Sequence, residues 1–191
     1  MTTVALQPNR LVLADLVPGA RVRDAGLVLA GAGLVGAAAQ VSIVTPLSPV
    51  PFTLQTLAVL VAGASLGSVR GVLSMLTYLA AGLAGVPWFE SHTSGWAGPS
   101  FGYILGFVVA AGLVGSLARR GADRHVVSTL ALMAAGTVVV YAVGTTWLAL
   151  DLHVGAVEAL KLGVRPFLVT DAIKVGLAAL AFPAAWKLAR R

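Results

Sequence analysis

Six long apolar runs, at residues 25–44, 52–68, 71–89, 100–117, 126–150 and 166–188, occupy most of this 191-residue chain. Each is near the ~20 residues an α-helix needs to cross ~30 Å of hydrocarbon. Inside a bilayer the backbone must satisfy its own hydrogen bonds, so runs of this kind become helices. The expected fold is therefore an all-α integral membrane protein with six transmembrane helices. The two runs flanking Arg70 are short and also read as one broken hairpin. Composition agrees: 58% of residues are hydrophobic and 10% charged, against about 45–50% and about 25% in soluble domains. Mean hydropathy is +0.93.

The division is simple. Residues 1–24 form an N-terminal segment in which 9–17 can lie as an interfacial helix, stopped at Pro18-Gly19. Residues 25–191 form the six-helix body. Ala37-Ala38-Ala39 would suit signal-peptide cleavage, but the apolar run continues past it and further spans follow.

The net charge of +6 does not indicate a nucleic-acid partner, because the basic residues sit between apolar runs rather than on one soluble face. Their distribution indicates orientation instead. With six spans, Arg10, Arg21, Arg23, Arg70, Arg119, Arg120, Arg124, Lys187, Arg190 and Arg191 fall on one side, ten in all; Lys161 and Arg165 fall on the other. Both termini are thus expected in the cytoplasm, and the membrane is expected to be the bacterial cytoplasmic membrane. No cysteine is present, which removes disulfides, thiolate chemistry and cysteine-bound zinc.

Small residues recur at four-residue spacing. Gly63, Gly67 and Gly71 form one stripe; Gly98, Gly102, Gly106 and Ala110 form another; Ala32 and Gly36 lie on the first span with Gly33 and Ala37 beside them. Such stripes let helices approach closely in lipid. Packing within the chain is the expected use of the first two.

The strongest chemical signal is Asp171 with Lys174, three residues apart and so on one helix face inside the last span. Charges at membrane depth are expensive and commonly mark a site; the alternative is an ion pair that locks helices together. In a site, the lysine suits a ligand carboxylate and the aspartate accepts from ligand N–H groups. Gln55, with Thr53 just before it, can both donate and accept toward an amide or urea, though helix capping by Thr53 explains it as well. Phe52, Trp88, Phe89, Trp96, Phe101, Tyr103 and Trp147 gather toward the outer side. Most fit an interfacial belt; some, including Phe52, Trp88 and Tyr103, suit the wall of a pocket for a ring-shaped ligand. Tyr78 lies deeper, and its hydroxyl needs a partner.

Enzymatic readings find little support. Gly63-Ala64-Ser65-Leu66-Gly67 has the spacing of a nucleophile elbow but lies in an apolar helix, not in the strand-turn-helix that an elbow requires. His92, His125 and His153 form no metal-binding pair at helical spacing, and no Gly-Lys pair offers a phosphate-binding loop. No metal or cofactor is expected, and no enzymatic activity.

The run Pro49-Val50-Pro51-Phe52-Thr53-Leu54-Gln55-Thr56-Leu57-Ala58-Val59 resembles the signature of the BioY family, the biotin-specific substrate-binding subunits (S components) of energy-coupling factor (ECF) transporters. Gln40, Tyr78, Gly85-Val86-Pro87, Gly98-Pro99, Gly102-Tyr103, Gly106-Phe107, Trp147 and Pro166-Phe167 with Asp171 and Lys174 extend the resemblance over residues 25–179. It implies a six-helix fold and biotin as ligand. It also implies an energising module made of a transmembrane coupling protein and two ATP-binding subunits. Asp171 and Lys174 would contact biotin, with Gln55, Thr53 and Tyr78 beside them. The family's Ala-xxx-Ala docking stripe appears here as Ala32-xxx-Gly36. Another water-soluble vitamin, or a purely structural assembly role, remains the alternative.

Overall fold

The computed structural model describes residues 11–19, 21–96 and 98–189, which form a helical bundle. Arg10, Arg190 and Arg191, used above for orientation, lie outside the described residues, as does Asn9 of the expected interfacial helix. The described part of that segment is a single 3₁₀ turn, Leu13–Leu16. Helix α1 spans Arg21–Gln40. A two-stranded antiparallel hairpin follows, β1 Ser42–Thr45 and β2 Ser48–Thr53, paired Ser42 with Thr53 and Ile43 with Phe52. Then come α2 Gln55–Leu83, α3 Phe101–Ala118, α4 Val126–Asp151, α5 Ala156–Gly163 and α6 Leu168–Ala189. Five helical stretches are long and apolar enough to cross a membrane, with α5 and α6 counted as one stretch.

Two elements differ from the sequence reading. The first apolar run ends as a helix at Gln40, and residues 42–53 form the hairpin rather than helix and connector. Ile43, Val44 and Thr45 are β-branched and fit a pleated strand. Pro49 and Pro51 are tolerated because a two-stranded hairpin leaves each strand an unpaired edge. The polar stretch 151–165 contains α5, an eight-residue amphipathic helix.

The two runs flanking Arg70 meet at Gly67, whose backbone (φ 80°, ψ 174°) is not helical. The chain reverses there. Residues eight apart on a straight helix lie about 12 Å apart along its axis, yet a Cβ on Gly71 would stand 3.2 Å from Gly63 Cα. Only glycine fits this reversal, since its positive φ would strain any other side chain. Gly63 also lies against Ala111 of α3, where a Cβ would meet backbone at 3.0 Å, and Gly106 approaches Val140 of α4 in the same manner, at 3.1 Å. The stripes on α2 and α3 are therefore used within the chain.

The molecule has two chemically distinct ends. At one, Asp15 bonds Arg70 at 2.9 Å and approaches Arg119 at 3.7 Å, while Asp24 bonds Arg70 at 3.2 Å and Arg23 at 2.8 Å. Val12 is fully buried there. Arg124 donates to the Leu11 carbonyl at 3.2 Å and stacks over Trp186 at 4.5 Å; Trp186 in turn donates to the buried Asp123 at 2.6 Å. The start of the described chain, the Gly67 reversal, the end of α3 and the end of α6 thus meet. The opposite end holds the hairpin, the 90–99 loop, α5 and the start of α6.

Candidate ligand-binding site

The cavity at that opposite end is built by six parts of the chain. The hairpin supplies Val50, Pro51 and Thr53, and the start of α2 adds Gln55 and Thr56. The loop before α3 gives Glu90 and Ser100. α3 and α4 contribute Tyr103, Ile104, Phe107, Val140 and Tyr141, and the last helical stretch Phe167, Asp171 and Lys174. The empty space among these residues, part of it continuous with the surroundings, is about 480 Å³. Its apolar floor of Ile104, Phe107 and Val140 faces a group of polar side chains. That combination of apolar walls and a few converging polar groups is the usual form of a small-molecule site.

Asp171 is 4% exposed. Its Oδ1 accepts from Lys174 Nζ at 2.7 Å, and its Oδ2 from the Tyr141 hydroxyl at 2.6 Å. Lys174 Nζ also donates to the Thr53 carbonyl at 2.8 Å, tying β2 to α6. Two of the three ammonium protons are thereby used, and the third remains for a ligand. The pair shares one face of α6 because three residues make nearly one turn.

Gln55 is 3% exposed. Its Nε2 donates to the Tyr78 hydroxyl at 2.8 Å, and Tyr78 donates to the Trp88 carbonyl at 3.2 Å. Trp88 returns a bond from Nε1 to the Tyr78 carbonyl at 2.9 Å. Gln40 closes the group by donating to the Trp88 and Phe89 carbonyls. Tyr78 and Trp88 thus stand behind Gln55 and fix its amide; neither lines the cavity. Phe52 does not line the cavity either; its ring lies 4.5 Å from that of Phe167, which does. Tyr103 lines the wall and donates to the Gly163 carbonyl at 2.8 Å, anchoring the end of α5. Of the eight side chains proposed from sequence, Asp171, Lys174, Gln55, Thr53 and Tyr103 come together around one space.

Glu90 was not among those eight, because its polar loop matches the family pattern only loosely. The structure turns it into the cavity. Burial raises its carboxyl above the usual carboxylate range, opposed in part by a hydrogen bond with Ser100. Tyr141 was missed as well. A phenol well inside an apolar span needs a hydrogen-bond partner, and that need was the available signal.

The first-span stripe divides. Ala32 is 1% exposed, and a Cβ on Gly36 would meet Trp88 at 3.0 Å, so both pack inside this chain. Gly33 and Ala37 face outward.

The protein-family model described as the BioY family matches residues 9–191. The chain belongs to the BioY family. Among its BioY relatives, a probable biotin transporter of Pyrococcus horikoshii is 36% identical over 163 residues, covering 84% of this chain and 94% of the relative. A biotin transporter of Thermotoga maritima is 36% identical over 138 residues, covering 71% and 80%. These relatives are named as transporters, not enzymes. The fold is that of a crystal structure of an S component for biotin from an ECF-type ABC transporter. The two agree with a TM-score of 0.79 at 22% identity, over 90% of this chain and 93% of the other.

Proposed function

We propose that this BioY-family protein binds biotin and serves as the substrate-specificity subunit of an ECF-type transporter in the cytoplasmic membrane. The observation that carries the reading is the buried Asp171–Lys174 pair, held by Tyr141 and the Thr53 carbonyl over an apolar floor. Lys174 offers its remaining proton to the ligand carboxylate. Asp171 accepts from ureido N–H groups. Ile104, Phe107 and Val140 receive the thioether ring. The relatives named as biotin transporters support this assignment.

Six crossings are proposed, with the reversal at Gly67 dividing α2 into two of them. Residues 25–191 are the membrane domain, 1–24 its cytoplasmic preface, and lipid surrounds the bundle. The gathering of Arg23, Arg70, Arg119 and Arg124 at the end opposite the cavity supports cytoplasmic termini and an outward-facing site. The partners are a transmembrane coupling protein and two ATP-binding subunits. The outward small residues Gly33 and Ala37, with Gly26 and Ala30 on the same exposed face of α1, are the proposed docking stripe.

Equilibrium binding of radiolabelled biotin to the detergent-purified protein, with other vitamins as competitors, tests the proposal. Saturable binding displaced by unlabelled biotin alone is expected. Displacement by another vitamin would reassign the ligand. No binding of any vitamin by a folded protein would favour an assembly subunit, with Asp171 and Lys174 as a helix lock.

A further inference from the structure

We infer that the groove between the second half of α2 and α3 binds one anionic phospholipid, with Ser68 and Arg120 holding its phosphate at the basic end of the bundle. An open cavity with about 810 Å³ of empty space lies there, part of it continuous with the surroundings, lined among the described residues by Ser68, Ser116, Arg119 and Arg120 and by no carboxylate. Ser68 and Arg120 have no side-chain hydrogen bond or ion pair within the chain among the described residues. The Ser116 hydroxyl already donates to the Gly112 carbonyl at 2.7 Å, so it offers only acceptor lone pairs.

The surrounding charges leave an anion wanting. Arg23, Arg70 and Arg119 share Asp15 and Asp24, two carboxylates for three guanidiniums, and Arg120 adds a fourth cation. Asp15 is only 3.7 Å from Arg119 but bonds Arg70 at 2.9 Å, so Arg119 is the least neutralised of the three. Arg70 Nη1 is buried without a partner. The carbonyl end of α3 opposes an anion with about half a charge, less than the surplus of about two guanidiniums. Guanidinium and phosphate match in bidentate geometry.

The groove above the phosphate site identifies the anion as a lipid. Val69, Leu73 and Leu76 share an exposed face of α2. Val109 and Leu113 share an exposed face of α3 with Ser116, at helical spacing, and the exposed Arg120 follows in the turn just past the helix end. Between these faces the helices nearly touch, since a Cβ on Gly112 would meet Val72 at 3.1 Å. Two apolar walls with a narrow floor lead directly to the serine and arginines. An acyl chain lying between them places its headgroup phosphate at the cavity, as basic pockets between transmembrane helices commonly do.

Native mass spectrometry of the full chain, supplied with phosphatidylglycerol, with phosphatidylcholine, or with inorganic phosphate alone, tests the site. One phosphatidylglycerol is expected to stay bound under activation that strips phosphatidylcholine. Arg120→Gln, and Ser68→Ala separately, are expected to cut that occupancy at least tenfold with biotin binding unchanged. Arg119 is left intact because it also bridges to Asp15. Arg165→Gln, at the other end of the bundle, is expected to have no effect. Equal retention of the two lipids, or full retention by both variants, would overturn the site. Binding of inorganic phosphate alone as strong as that of the lipid would overturn the groove as its acyl-chain half.

Discussion

At the scale of single residues, the cavity depends on who holds whom. Asp171 has two partners, so removing one does not strand it. In Lys174→Ala the Tyr141 hydroxyl still serves Oδ2, whereas an isolated buried pair that loses one member suffers about 3–5 kcal/mol. We predict that Lys174→Ala folds and loses roughly tenfold to a hundredfold in biotin affinity, the equivalent of about 1.5–3 kcal/mol for a charge-assisted bond. Binding and thermal unfolding in detergent, measured together, check it; an unfolded variant would show a structural lock. Tyr141→Phe is the complementary change. It leaves Oδ2 of a nearly buried carboxylate without its donor, and we predict weaker biotin binding with the chain still folded, read by the same pair of measurements. Glu90 was not legible in the sequence, and Tyr141 only as a phenol in an apolar span that needs a partner. Their roles depend on which segment faces which, and that is fixed by packing rather than by local pattern.

Glu90 carries a pH signature. Its folded-state pKa is raised by burial, so the folded protein holds this proton more tightly than the unfolded chain does. The contribution to stability is then fully present below the unfolded pKa and is lost as pH rises through the raised one. Other carboxylates slope differently, so the difference between variants is the useful quantity. We predict that Glu90→Gln, permanently neutral, gains stability relative to the parent as pH increases through the carboxylate range and above. Melting curves of both proteins across that range check the sign.

At the scale of elements, the long apolar runs were legible because a span declares itself by length alone. The hairpin was not. Pro46, Pro49 and Pro51 read as a connector, and the β-branched run at 43–45 was absorbed into the preceding apolar stretch. α5 escaped because eight residues carrying Glu158 and Lys161 resemble a polar loop. Helix α1 shows what sequence spacing cannot decide: two small-residue stripes lie side by side, and only packing reveals that Ala32 and Gly36 are covered while Gly33 and Ala37 are open. We predict that Gly36→Trp lowers thermal stability, because the new ring must displace Trp88, itself bonded to Tyr78 and Gln40. Gly33→Trp should instead leave stability and biotin binding intact and abolish copurification with the coupling protein. Normal assembly of Gly33→Trp would remove the outward face of α1 from the docking surface.

At the scale of the whole molecule, polarity is written in its two ends. One gathers arginines, carboxylates and both ends of the described chain; the other gathers aromatics, a hairpin and the cavity. We predict that reporter fusions after residue 191 will be active only on the cytoplasmic side, and that tags within 90–99 will be reached from outside. A fusion reporting an external C-terminus would require an odd number of crossings.

The reversal at Gly67 has a consequence for how the protein is made. The stretch 55–66 is twelve residues, about 18 Å of helix, and 68–83 is sixteen, about 24 Å; each is shorter than ~30 Å of hydrocarbon, so each proposed crossing takes in flanking residues of the apolar runs 52–68 and 71–89 as well. Neither half is a competent stop or start signal for the insertion machinery by its helical length alone, and no loop separates them. We expect them to enter the bilayer as one unit. We expect Gly67 to matter during biosynthesis as well as in the finished protein: its positive φ lets the hairpin close, and Gly67→Leu should lower the yield of membrane-inserted chain measured beside the parent.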